Sequence, residues 1–278
     1  MATVFKAACV QICAEEQVEK NIAKAVELTR AAVADGAELV CLPENFSCLE
    51  PKDTDYLTRG YSADNHPALT VFPALARELG VVIALGSLTI QRGDGLVSNR
   101  SYVFDANAEC LAVYNKIHLF DVALRGGEMY RESATVAPGD ELASARLPWG
   151  VLGLSICYDV RFPHLYRELA RRGADFLAIP AAFTATTGEA HWHVLVRARA
   201  IENGCFVFAA GQSGRRHWGR RTYGHSLIVD PWGAVLADGG ENEGFVSATI
   251  DVAKVAEARA MIPSLQHDRL LRPEFSAR

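Results

Sequence analysis

The sequence predicts an α/β protein whose sheets are covered by helices. Three observations lead there. Strand-length apolar runs alternate with amphipathic helical stretches along the chain. Many of those runs are continuously apolar, as strands buried on both faces are. The helices stop where a glycine can take up a left-handed turn.

Taken in order, residues 6–11 read as a buried first strand. Val18–Ala34 follows with Ile22, Val26, Thr29 and Val33 at the spacing of a helix face, and it stops at Asp35-Gly36. "AELVCLPE" is then a short apolar strand ending in a carboxylate. Pro67–Leu79 is helical up to Gly80, and "VVIALGSLTI" and "SNRSYVFDA" are strands joined by the turn "QRGDG". "VLGLSIC" and "DFLAIP" flank a helix over 163–172, and "CFVFAAG" follows a helix over 190–201. "HSLIVDPWGAVLA" and "GFVSATID" close the chain as strands, with the turn Pro231-Trp232-Gly233 inside the first. No repeat, low-complexity tract or linker interrupts the pattern, so residues 1–278 are read as one domain.

Composition narrows the function. Half of the 278 residues are apolar and the net charge is −5, with no basic stripe, so neither nucleic acid nor an anionic membrane is an expected partner. Apolar runs such as 81–85 are far too short to span a bilayer, and "MATVFKAACVQIC" reads as a strand, not as a signal peptide. Seven cysteines, an odd number without any C-x-x-C, argue against a disulfide framework and for a reducing cytoplasm.

Three polar residues end or directly follow apolar strands: Glu44 in "VCLPENF", Lys116 in "LAVYNKIHLF" and Cys157 in "GLSICYDVRF". Active sites on α/β scaffolds gather at the carboxyl ends of strands. The three types also fit one chemistry. A carboxylate can take a thiol's proton, and an ammonium can stabilise a thiolate and a later oxyanion. Separately, each has an ordinary structural alternative: an inert core thiol, a solvated turn carboxylate, a surface lysine.

"LPENF", "YNKIHLFD" and "ICYDVRFP" occur in that order and resemble the three signature stretches of the nitrilase, or carbon–nitrogen hydrolase, superfamily. The resemblance covers nearly the whole chain. It implies a four-layer αββα sandwich, which the alternation alone does not distinguish from a doubly wound sheet, and a homodimer or higher homo-oligomer. It makes Glu44 the general base, Lys116 the oxyanion stabiliser and Cys157 the nucleophile, with Glu132 in "MYRES" orienting the lysine. The backbone N–H of Tyr158 is the second oxyanion donor, and neither a metal nor an organic cofactor is implied.

The expected reaction is hydrolysis of a small carboxylate-bearing amide to acid and ammonia through a thioester. "GEAHWHVLVRARAIEN" and "YGHSLIVDPWG" look like the branch that holds omega-amidases and deaminated-glutathione amidases, and "AAGQSGRRH" leans to the second group. Omega-amidase action on 2-oxoglutaramate or succinamate, N-carbamoyl hydrolysis and a catalytically silent binding module stand as alternatives. Candidates for binding the substrate are Arg161, Phe183, Thr187 and His191, with an ion pair to Asp159 as the structural alternative for Arg161. The basic cluster Arg215, Arg216, Arg220 and Arg221 either attracts an anionic substrate or is an ordinary solvated loop. "ALRGGEMYRES" is expected to be a mobile loop over the site.

Readings from other classes lack their motifs. His191-x-His193 with Glu189, or His217 with His225, matches no H-E-x-x-H or thiolate zinc spacing. "GLSIC" lacks the last glycine of G-x-S-x-G, and no G-x-G-x-x-G follows the first strand.

Overall fold

The computed structural model describes residues 4–52, 54–124, 127 and 129–269. The first half runs β1 (Val4–Gln11), α1 (Val18–Ala34), β2 (Leu39–Cys41), α2 (Asp55–Arg59), α3 (Pro67–Leu79), β3 (Val82–Ala84), β4 (Leu88–Gln91), β5 (Val97–Phe104) and β6 (Cys110–Asn115). A hairpin of β7 (Asp121–Ala123) and β8 (Met129–Arg131) leads on. The second half runs β9 (Ser144–Leu147), β10 (Gly150–Leu154), α4 (Pro163–Arg171), β11 (Phe176–Ala178), α5 (Ala185–Asn203), β12 (Phe206–Ala209), β13 (Leu227–Val229), β14 (Val235–Asp238), β15 (Gly244–Asp251) and α6 (Ala253–Met261).

Two sheets result. The first has the order β15-β1-β2-β3-β5-β4 with β6 also on β5, and the second has β14-β13-β12-β11-β10-β9. Each is built around three parallel strands, β1-β2-β3 and β12-β11-β10. Period-two alternation sorts their side chains into layers. Phe5, Ala7 and Cys9 of β1 share a core with the second sheet, where Phe5 stacks on Trp149 at 4.1 Å and meets Phe176 edge-on. Ala8 and Val10, between them, pack with Val40 and Ile83 beneath Ile22 and Ala25 of α1 and Phe72 and Leu75 of α3. On the far side Leu165 of α4 and Trp192 and Val196 of α5 join the core of the second sheet. The order is helix, sheet, sheet, helix, the four-layer sandwich expected.

Differences from the sequence reading have local causes. Residues 81–90 form two strands, because Gly86 sits at φ +59° against the end of β2. A Cβ there would fall on the carbonyl oxygens of Leu42 and Pro43. Helix α5 begins at Ala185, five residues before its expected start, because the Thr184 hydroxyl caps the Thr187 N–H. Of the expected loop over 123–133, residues 125, 126 and 128 lie outside the described residues; its flanks pair as β7 and β8.

The α3 cap supplies a stability prediction. His66 precedes Pro67, and its Nδ1 accepts the Ala68 N–H at 3.1 Å. Burial pushes this histidine down from 6.5 to about 4. The unfolded chain therefore binds a proton near pH 6.5 that the folded chain refuses until about pH 4, and acid favours unfolding across that window. The contribution is complete above pH 6.5, and a gap of that size corresponds to about 3 kcal/mol once pH reaches the lower value. Asparagine keeps a capping acceptor without the titration. Between pH 7 and 4.5 the wild-type melting temperature should fall further than that of His66→Asn, by about 4–8 °C. Parallel slopes in the two proteins would remove His66 from the acid response.

Candidate active site

Glu44, Lys116, Glu132 and Cys157 come from four places in the chain and meet at one end of the two sheets. Glu44 lies three residues past β2, where Gly86 allows close approach and Gln212 Nε2 holds the carbonyls of Glu44 and Asn45 at 3.0 and 3.1 Å. Lys116 follows β6 directly, and its backbone N–H is held by the Asn99 carbonyl at 2.9 Å. Glu132 opens the short helical turn Glu132–Ala134 after β8. Cys157 opens the turn Cys157–Arg161 three residues past β10, at φ +50°. A non-glycine residue in that region costs about 1–3 kcal/mol and persists only where its surroundings impose it. Here the Cys157 N–H is fixed to the Pro180 carbonyl at 2.8 Å.

The side chains form one network. Lys116 Nζ lies 2.9 Å from Glu44 Oε1 and 2.9 Å from both oxygens of Glu132. Asn99 Nδ2 donates to Glu44 Oε1 at 2.9 Å and to Glu132 Oε1 at 3.4 Å. The Ala182 N–H donates to Glu44 Oε2 at 2.8 Å, and the Phe120 N–H to Glu132 Oε2 at 2.6 Å. The Cys157 thiol faces the Glu44 carboxylate, whose charge acts on it. One carboxylate therefore faces both the thiol and the ammonium.

Charge follows from these contacts. Burial would raise Glu44, but the Lys116 charge and the hydrogen bonds from Cys157, Lys116 and Asn99 hold it below the ordinary glutamate value. Burial would discharge Lys116, yet Glu132 and then Glu44 keep it charged far above the usual lysine range. Glu132 is raised, by burial first and by the neighbouring Glu44 charge, against the pull of Lys116. Burial and then the Glu44 charge push Cys157 well above the ordinary thiol, and Lys116 only partly offsets them. The resting sulfur is a neutral thiol beside an ionised carboxylate.

A second network holds the frame. Asp159, fully buried, accepts from Tyr114 Oη at 2.7 Å, the Ile156 N–H at 2.8 Å and the His118 N–H at 3.0 Å, and His118 Nδ1 lies 2.7 Å away. It ties the segment around Lys116 to the turn of Cys157.

Glu44, Lys116, Glu132 and Cys157 line one open-mouthed cavity. Phe120, Tyr130, Tyr158 and Phe183 wall it, and Thr187 and Arg220 also reach its lining. Arg161 and His191 do not. Arg161 lies over the rings of Tyr158 and Phe183, at 5.8 and 5.3 Å, with Nη1 3.3 Å from His191 Nδ1. Its sequence-based ion pair with Asp159 is absent, because His118 and Tyr114 occupy that carboxylate.

The expected arginine cluster divides. Arg216 is buried, with its guanidinium on the Ala14 carbonyl, Gln212 Oε1 and the Thr222 hydroxyl. Arg221 pairs with Glu241 at the surface. Among the described residues, two groups could hold a cation: His193, His225 and Asp238, and Glu15, Glu16 and His217. Neither lines the cavity. His191 and His193 point apart, to Arg161 and to Asp238.

Sequence reasoning did not single out Asn99 or the framing role of Asp159. The signal for Asn99 was a polar residue inside an apolar strand, "VSNRSYVF". Asp159 carried no signal beyond proximity to Cys157.

A family model described as carbon-nitrogen hydrolase matches residues 6–260. A deaminated glutathione amidase of Synechocystis is 43% identical over 267 residues, which cover 95% of this chain and 97% of that one. That of Bos taurus is 40% identical over 266 residues, 93% and 80% of the two chains. The crystal structure of the C. elegans NitFhit protein superposes with a TM-score of 0.90 at 38% identity. The match covers 97% of this chain and spans 66% of the NitFhit chain. No helix among the described residues is long and apolar enough to cross a membrane.

Proposed function

The chain belongs to the carbon–nitrogen hydrolase family, and from that membership we propose that its cavity hydrolyses a small carboxylate-bearing amide, deaminated glutathione, with Cys157 as nucleophile. The observation that carries the proposal is the Lys116 ammonium held between Glu44 and Glu132 on the same cavity lining as Cys157. Cys157 Sγ attacks the amide carbon while its proton passes to Glu44. The oxyanion is stabilised by Lys116 and by the Tyr158 N–H, the first peptide group after the nucleophile; one such donor is worth about 10²–10³ in rate. Glu44 then protonates the leaving nitrogen, the C–N bond breaks and a thioester remains. Water, giving a proton to Glu44, attacks the thioester; Cys157 leaves as thiol and the acid is released. Glu132 orients Lys116 through its two oxygens.

The leaving group follows the substrate. A primary amide releases ammonia. The peptide amides of a deaminated glutathione are secondary, so the same proton from Glu44 goes to an amine. Phe183 and Thr187 serve as cavity wall, and Arg161, held beside His191, lies over the rings of Tyr158 and Phe183.

The chain works as a single hydrolase unit, a homodimer in a reducing cytoplasm. Seven free cysteines support that compartment. Exposed Val194 and Ile201, two turns apart on α5, with Trp232 on the neighbouring turn, support burial of that face against a second copy.

Initial rates on deaminated glutathione and on 2-oxoglutaramate, followed by chromatography of the acid product, test the reading. The expected kcat/KM favours the first by about tenfold or more. The reverse preference would replace the substrate, and no turnover of either would remove the amidase assignment.

A further inference from the structure

The cavity holds four charged side chains among the described residues: Glu44, Lys116, Glu132 and Arg220. Two are acidic, and Lys116 already pairs with both of them. A substrate that brings its own carboxylate meets net repulsion unless a further cation faces it. Arg220 is in that position. Its Nε is buried and has no hydrogen-bond partner among the described residues. Buried donors are almost always satisfied, and one left open in a cavity points to an absent acceptor.

Its placement is built. The turn 216–220 is closed by the Arg216 N–H on the Arg220 carbonyl and the Gly219 N–H on the Arg216 carbonyl, both at 2.9 Å. Arg216, buried beneath it, anchors that turn to the Ala14 carbonyl at 2.9 Å. Arg220 lies over the Tyr130 ring at 5.6 Å, Tyr130 meets Phe120 at 5.1 Å, and Phe120 meets Tyr158 at 5.1 Å. An aromatic row thus runs from the residue after the thiol to the open guanidinium. A short apolar chain bearing a carboxylate fits along it, with a planar fork to receive the anion at its end.

We propose that Arg220 is the counter-ion of the substrate carboxylate and makes the cavity selective for anionic amides. This rests on the amidase reading above and goes beyond it, because Arg161, nearer the nucleophile in sequence, is not among the residues lining the cavity.

Kinetics of Arg220→Met and Arg220→Lys on deaminated glutathione and on 4-oxopentanamide, a neutral amide, test it. The methionine variant should raise KM for deaminated glutathione about 10²-fold with kcat within about threefold, and leave the neutral amide unchanged. Lysine should restore part of the loss. An equal fall on both substrates, or no change on either, would overturn the assignment. If wild type hydrolyses neither compound, the amidase reading fails on its own. Calorimetric binding of deaminated glutathione to Cys157→Ala, with and without Arg220→Met, then decides Arg220 separately: about 10²-fold weaker binding upholds it, and equal affinity overturns it.

Discussion

Cys157→Ser should lower turnover about 10⁴–10⁶-fold while the protein stays folded and still binds substrate. The size of the loss comes from the base as much as from the nucleophile. Glu44 is held below the ordinary glutamate value by Lys116 and three hydrogen bonds, so it is a weak base. Cys157 is held as a neutral thiol, by burial first and by Glu44 second. On the proposed mechanism, proton transfer therefore accompanies formation of the C–S bond and draws on the oxyanion stabilisation by Lys116. A hydroxyl is far less acidic, and the same carboxylate cannot take its proton at useful cost. The pH profile carries the same signature. Glu44 is ionised below the ordinary range, and thiol and ammonium lose their protons far above it. Thus kcat/KM should be level from about pH 6 to 9, and alkylation of Cys157 by iodoacetamide should show no step near 9.0, the ordinary thiol value. Serine turnover within tenfold of wild type would remove the nucleophile assignment. A rise through pH 9 would show a thiolate formed before substrate attack.

Glu44, Lys116 and Cys157 stood out in the sequence because each ends or follows an apolar run, and only the resemblance of their three stretches to a family raised them above ordinary structural alternatives. The layers were legible for a related reason: strands without polar alternation must be covered twice. The residues that complete the site left weaker traces. Asn99 lies 55 residues from Glu44 and reads as an ordinary strand polar residue until the sheet brings the two together. Arg220 looked like one member of a basic loop, and only folding separates it from buried Arg216 and surface-paired Arg221. Arg161 misled for the opposite reason, because nearness to Cys157 along the chain does not set the direction of a side chain leaving a helical turn. The broken strand at 81–90 was hidden because its cause, contact of Gly86 with the end of β2, is tertiary.

Asp159→Asn should destabilise the protein by about 3–5 kcal/mol and lower kcat about 10²-fold, with KM little changed. The carboxylate is fully buried, and each of its oxygens faces two groups: His118 N–H and Nδ1 on one side, Tyr114 Oη and the Ile156 N–H on the other. An asparagine has the same shape, but whichever way it turns, its NH₂ meets donors. Those contacts span the two halves of the site. Tyr114 and His118 flank Lys116 at the end of β6, and Ile156 precedes Cys157 after β10. Loosening them lets the ammonium and the sulfur drift relative to Glu44, and a displacement of about 1 Å in a reacting geometry costs rate more than binding. Tyr114→Phe, which removes one donor and keeps the charge, should show a smaller loss of both kinds. Thermal melts should place Asp159→Asn about 6–15 °C below wild type. If that variant, assayed well below its own melting temperature, retained wild-type kcat, Asp159 would hold the fold without holding the chemistry.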